Sequence, residues 1–250
     1  MATWIGHLRI AENLLYRIDG LHAAQFAIGN LAPDSGIPMD ANREKFDPPK
    51  EVTHFLQEGG DTEGDIHDLI FFRNYLAGLN MLEDNSRFSF RLGFFFHLLV
   101  DILWAQRVWR PTRDRFREEI DKEKERMAGE IKGDWYGLDF LYVRSHPSSL
   151  FWRVFLDAKP LAADLDFLPV EALNQQLAYI KDYYQRRDEE IETMINVPYI
   201  YLSEAGMDRF VEEAAADLYH IYCLLWQEGV DTSSHKSALG LLSQPLPPVT

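Results

Sequence analysis

Apolar residues recur along this chain at three- and four-residue spacing, the pattern of helices with one buried face. The first run, Trp4 to Ile18, carries Ile5, Leu8, Ile10, Ala11, Leu14, Leu15 and Ile18, with Gly20 placed to end it. His22 to Leu31 predicts a second short helix, stopping before Ala32-Pro33-Asp34-Ser35-Gly36. Residues 33–50 hold Pro33, Pro38, Pro48 and Pro49 and read as loop. Val52 to Gln57 is too short to assign. Gly59-Gly60-Asp61 marks a break, and Asp65 to Leu79 predicts a helix that Asp61 or Thr62 is placed to cap.

Phe88 to Arg110 is apolar nearly all round, which predicts a buried central helix. Pro111 is expected to reset the chain, and the charge-dense run Thr112 to Lys132 to form an exposed helix. Pro147 to Leu156 predicts a short helix. Pro169 to Ile195 predicts a long one with a solvated stretch at Arg186–Glu190. Ser203 to Gln227 predicts the last helix, with Ser203 as N-cap and Gly229 as terminator. No segment alternates apolar and polar residues for long. The expected fold is therefore all-α, a single multi-helix domain over residues 1–230 with long loops between 30 and 64. Residues 231–250 are expected to be a loose tail.

Composition narrows the class. The chain has 250 residues, 46% hydrophobic and 26% charged, enough for a real core and a solvated surface. This excludes a disordered chain, a collagen-like chain and a small disulfide scaffold. The formal charge of −15 gives no overall attraction to duplex nucleic acid or an anionic membrane. The single cysteine, Cys223, lies in the apolar run Tyr219–Trp226 and reads as a small buried hydrophobe. The longest apolar stretch, Phe94–Val100, contains His97 and ends at Asp101, short of the ~20 residues of a membrane helix. With no basic and apolar leader pattern at the start, a cytoplasmic protein without a transmembrane segment is expected.

Several polar residues sit where apolar ones would be ordinary. His97 and Asp101 are four apart on the most apolar helix, one turn apart on the same face. They either share a hydrogen bond sealed in the core or share a metal ion. His7 lies on the side of the first helix that carries Ile10, Ala11 and Leu14. Asp34 sits in a turn, and His54 is flanked by apolar groups. Singly, each has a plain structural explanation; their order along the chain says more.

That order resembles the bacterial zinc-dependent phospholipase C family, distantly related to zinc-dependent single-strand nucleases. The matching pieces are Thr3-Trp4-Ile5-Gly6-His7-Leu8-Arg9-Ile10-Ala11, Phe26-Ala27-Ile28-Gly29-Asn30-Leu31-Ala32-Pro33-Asp34 and Val52-Thr53-His54-Phe55. The fourth is the Gly-x-x-x-His-x-x-x-Asp run from Gly93 through His97 to Asp101. Together they cover about the first 110 residues. The resemblance implies a helical fold of the phospholipase C and zinc nuclease type. It also implies that Asp34, His54, His97 and Asp101 build one zinc position, with Asp34 as candidate general base. His7 would serve a neighbouring zinc, bridged by Asp101. In secreted members an N-terminal Trp amine completes that neighbour, whereas Trp4 is internal here. The downstream His and His-x-x-x-acid pair of a third zinc is missing: four residues beyond His146 and His220 stand Leu150 and Leu224. One or two ions are therefore expected, zinc by ligand type, with manganese, iron or nickel as alternatives.

The implied activity is metal-dependent hydrolysis of a phosphoester or phosphodiester by a metal-activated water. The substrate would be small and phosphate-bearing, or a phospholipid headgroup. Arg9 and Lys50 are the nearest cations in sequence. The aromatics Phe71, Phe72, Phe94, Phe95, Phe96, Trp104 and Trp109 read as core packing. The alternatives are a non-catalytic relative whose reduced site holds a structural metal, and a single-strand nuclease.

Overall fold

The computed structural model describes residues 1–40, 45–57, 65–161 and 164–243. The expected break at Gly59-Gly60-Asp61 and the caps Asp61 and Thr62 lie outside these. The chain is mostly helical, as its apolar spacing predicts. In chain order the helices are α1 (Trp4–Leu15), α2 (Ala23–Gly29), α3 (Lys50–Thr53), α4 (Asp68–Phe71), α5 (Asn85–Trp104) and α6 (Arg110–Arg115). There follow α7 (Arg117–Lys122), α8 (Lys124–Ser145), α9 (Val170–Gln185), α10 (Glu189–Ile195) and α11 (Glu204–Tyr222). One short antiparallel pair, β1 (Ile37–Pro38) with β2 (Phe46–Asp47), ties the proline-rich loop together. Two residues a strand leave no alternation to detect in sequence.

The central helix is α5, buried from Leu92 through Trp104 without interruption. It carries on through a π turn, Ala105–Trp109, into α6, so the helix runs unbroken from Asn85 to Arg115. The expected reset at Pro111 is thus corrected. Proline lacks an N–H and crowds the preceding turn, and the widened π turn lies immediately before it. This helix is long and apolar enough to cross a membrane, but 94% of its most apolar window is buried inside the molecule.

Glycine lets α2 cross α5 closely. A Cβ on Gly29 would lie 2.0 Å from the Phe90 carbonyl oxygen, and one on Gly93 would lie 2.4 Å from that of Phe26. Only bare backbones fit there, and the contact sets Asn30 against α5. Around α5, Phe71 stacks on Phe94 with centroids 4.4 Å apart, and Trp104 meets Trp135 and Phe210 edge-on. Thr3, Asp188 and Ser203 cap α1, α10 and α11 through their side chains.

Three further expectations change. The charged run 112–132 is not one helix but the end of α6, all of α7 and the start of α8, with non-helical breaks at Phe116 and Glu123. The long helix over 169–195 is broken between Gln185 and Glu189, where Asp188 accepts from the Ile191 N–H and starts α10 afresh. The loose tail is corrected over Ala238–Ser243, a 3-10 turn whose Ala238 and Leu241 are fully buried. Asp68 anchors it by accepting the Ala238 N–H at 2.9 Å. Residues 244–250 lie outside the described set. Cys223 is buried and free, as expected.

Candidate metal centre

Five side chains from four elements converge beside α5. Thr3 caps α1, which turns His7 inward one turn later. Asp34 closes the 3-10 turn Ala32–Asp34, in which Pro33 is the second residue. His54 stands at the C-cap of α3. His97 and Asp101 share a face of α5. His7, His54, His97 and Asp101 are fully buried, and the Asp34 side chain is 7% exposed. After His54 the chain passes through Phe55 at φ +53°, a left-handed conformation uncommon for a bulky residue. That turn sends the Phe55 ring among Phe71, Phe94 and Phe167 while His54 faces the cluster.

The ligand-type atoms face one another. His54 Nε2 lies 3.3 Å from His97 Nε2, 3.5 Å from Asp101 Oδ2 and 3.6 Å from Asp34 Oδ1. His97 Nε2 lies 3.5 Å from Asp101 Oδ2. A tetrahedral ion with bonds of about 2.0–2.2 Å to nitrogen and oxygen spaces its ligand atoms roughly 3.3–3.6 Å apart. These four separations match that spacing. His7 Nε2 is 3.4 Å from Asp101 Oδ1, and its ring stacks on His97 at 3.9 Å. Two overlapping triads can therefore hold a cation: Asp34, His54 and His97, and His7, His97 and Asp101.

Both nitrogens of His7, Asp34 Oδ1 and Asp101 Oδ2 are buried without a hydrogen-bond partner. Buried polar atoms left unpaired are costly, and a cation among them removes that cost. The outer contacts orient the donors. The Asn30 carbonyl accepts from His97 Nδ1 at 2.7 Å, which leaves the Nε2 lone pair facing the cluster. His54 Nδ1 lies 3.1 Å from Thr53 Oγ1. The Trp4 indole N–H donates to Asp34 Oδ2, and the Ala2 backbone N–H donates to Asp101 Oδ1, each at 2.8 Å.

Charge follows the same logic. Burial, with the neighbouring His97, pushes His7 down to about 4. Burial also pushes His54 below its usual value. His97 goes up: burial opposes its charge, but Asp101 and Asp34 outweigh burial. Burial would raise both carboxyls, yet Lys50 and the histidines hold Asp34 low, and His97 with its neighbours holds Asp101 well below the carboxylate range. Neutral imidazoles and ionised carboxylates are the forms that bind metal, which these shifts favour at His7, His54, Asp34 and Asp101, while His97 gives up a proton to bind.

Of the five, Asp34 lines a cavity of about 540 Å³, with Trp4, Lys50, Lys132, Trp135, Tyr136 and Tyr179 among its other walls. Lys50 Nζ stands 3.7 Å from Asp34 Oδ1. Arg9 points elsewhere: it pairs with Asp208 and lies over the Tyr142 ring. His67 sits at the start of α4, His146 stacks on Tyr142, and His220 is on α11; none belongs to either triad. Phe71, Phe94, Phe95, Phe96 and Trp104 are core, as read, and Phe72 is nearly so. Trp109 is half-buried and lines a smaller apolar groove of about 230 Å³ with Ile131 and Trp135. Lys132, Tyr136 and Tyr179 escaped sequence reasoning, because they come from α8 and α9, far from every motif. Compared with known proteins, the chain matches no family model, no curated protein and no solved structure, so its functional reading rests on this geometry.

Proposed function

We propose that this chain is a zinc-dependent hydrolase of phosphoester or phosphodiester bonds, phospholipase C-like in its chemistry. One observation carries the reading: His54, His97 and Asp101 stand 3.3–3.5 Å from one another, the spacing of three donors on a tetrahedral ion, and Asp34, 3.6 Å from His54, faces a cavity on the side where the fourth position would lie. Two imidazoles and one carboxylate suit a catalytic zinc, whose fourth position would be left to water. His7 adds a donor for a second ion that shares Asp101. When bound, such an ion acts as a Lewis acid that acidifies water and draws charge from a phosphoryl oxygen.

The chain's own residues do the rest. His54, His97 and Asp101 form the closed side of the site. Asp34, on the open side, receives the proton of the attacking water. Its carboxyl is held low by Lys50, so it is a weak base and works only on acidified water. Lys50 and Lys132 place two cations on the cavity wall of a chain whose net charge is −15, which favours a phosphate-bearing substrate or phospholipid headgroup there.

The test is metal analysis combined with turnover. Purified protein is expected to hold about one to two equivalents of zinc. It is expected to hydrolyse a chromogenic phosphodiester, to lose that activity to a chelator and to regain it with zinc. Tight zinc with no turnover on any phosphoester would instead assign the ion a structural role. Cleavage of single-stranded DNA in preference to phosphocholine esters would make the protein a nuclease.

A further inference from the structure

Three consecutive residues at the start of α1 each reach a different aspartate. The Ala2 N–H donates to Asp101 Oδ1 at 2.8 Å, the Thr3 hydroxyl donates to Asp139 Oδ1 at 2.7 Å, and the Trp4 indole N–H donates to Asp34 Oδ2 at 2.8 Å. The three partners come from α5, α8 and the 3-10 turn. Two of them are the carboxylates of the candidate metal centre. The third, Asp139, belongs to neither triad. It is 1% exposed and receives a second, short hydrogen bond from the Tyr184 hydroxyl of α9.

A carboxylate rotates about its last bond, so a ligand carboxylate is useful only when something fixes that rotation. Here each carboxylate has one oxygen held by the Ala2–Trp4 segment and the other turned to His54, while the held Asp101 Oδ1 also stands 3.4 Å from His7 Nε2. Trp4 holds Asp34 Oδ2 and leaves Oδ1 facing His54. Ala2 holds Asp101 Oδ1 and leaves Oδ2 facing His54 and His97. Between those two donors, Thr3 is the point at which the segment itself is tied down. Its hydroxyl is used twice, donating to Asp139 and accepting from the Gly6 N–H as the cap of α1.

We propose that Thr3, Asp139 and Tyr184 form a brace that holds the Ala2–Trp4 segment and thereby orients both metal-binding carboxylates. They are positioning residues that set zinc affinity without touching the ion. The inference rests on the metal-centre reading above and adds to it residues from α8 and α9, which no motif contains.

The experiment measures zinc affinity by competition with a chromophoric chelator, at a temperature well below the melting point of every variant. It compares the wild-type chain with Thr3→Val, Thr3→Ser, Tyr184→Phe and the surface control Glu118→Gln, and records the melting temperature of each metal-free protein alongside. Thr3→Val is expected to weaken zinc binding about 10- to 100-fold, the range typical of lost outer contacts. Thr3→Ser keeps the hydroxyl and is expected to stay within about three-fold of wild type. Tyr184→Phe removes one bond to Asp139, leaves the α1 cap untouched and is expected to weaken binding several-fold. Equal zinc affinity in wild type, Thr3→Val and Tyr184→Phe, with only the melting temperatures lowered, overturns the brace and leaves the metal centre standing. Should Thr3→Val fail to fold, unchanged affinity in Tyr184→Phe overturns it equally. A wild-type chain that takes up no zinc sinks the metal centre itself, and the brace with it.

Discussion

At the scale of single residues, Asp101 carries the most. Its two oxygens face three imidazoles and one backbone N–H, and it is fully buried. Asp101→Asn is expected to lower zinc content or affinity at least ~10-fold, because it removes an anionic donor that the neighbouring histidines do not replace. Glu118→Gln, on the exposed helix α7, is expected to change nothing. Equal zinc content in the two variants, measured by elemental analysis, would remove Asp101 from the centre. The spacing of His97 and Asp101 announced this pair in the sequence, since four residues on an apolar helix are one turn. It left open whether they bond to each other alone or share an ion. The approach of His54 and Asp34 from distant segments is what favours the ion.

At the scale of elements, the α2–α5 crossing positions the site. Gly29 and Gly93 allow the backbones to touch, and the same contact delivers the Asn30 carbonyl to His97 Nδ1. Gly93→Ala would drive a methyl into the Phe26 carbonyl, so it is expected to destabilise the protein by about 1–3 kcal/mol through overpacking. A denaturant titration reads this cost, and zinc affinity should fall with it as His97 shifts. The C-terminal turn Ala238–Ser243 is held differently, by one buried carboxylate. Asp68→Ala leaves the Ala238 N–H without its partner, at about 1–3 kcal/mol. Faster amide exchange confined to residues 238–243 is the expected result, and unchanged exchange there would show that Leu241 packing alone holds the turn. The sequence showed Ser, Pro and small residues in this region and so suggested looseness. Two buried side chains and a carboxylate 170 positions away decide otherwise.

At the scale of the whole molecule, buried carboxyls tie stability to pH. Burial pushes Asp139 up to about 7 and Asp68 up to about 6, against opposing hydrogen bonds from their neighbours. Between about pH 4 and pH 7 the folded chain keeps protons there that the unfolded chain releases, so these two groups make stability fall as pH rises through that window. Asp139→Asn carries no such proton. The stability difference between wild type and this variant should therefore drift against wild type from pH 4 to pH 7, then level off. Denaturant midpoints across that range check it, and a constant difference would mean that Asp139 does not titrate in the folded protein. Zinc would act on the same scale from the opposite side. Bound only by the folded chain, it should raise the melting temperature of the metal-free protein, increasingly so with zinc concentration.

The sequence by itself determined that the chain is helical with an apolar axis over Phe88 to Arg110, and that His97 and Asp101 share a face of it; His7, Asp34 and His54 stood out only through the resemblance of their order to a known family. The first two are local properties: apolar periodicity, caps such as Ser203, and residue types spaced by one turn. Only the tertiary structure decided that the five converge, that Pro111 leaves its helix unbroken, that Lys132 and Tyr136 line the cavity beside Asp34, and that Thr3 bonds to Asp139. Those depend on which segments meet across a hundred residues or more, and hydrogen bonds or packing at such range leave no periodic trace along the chain.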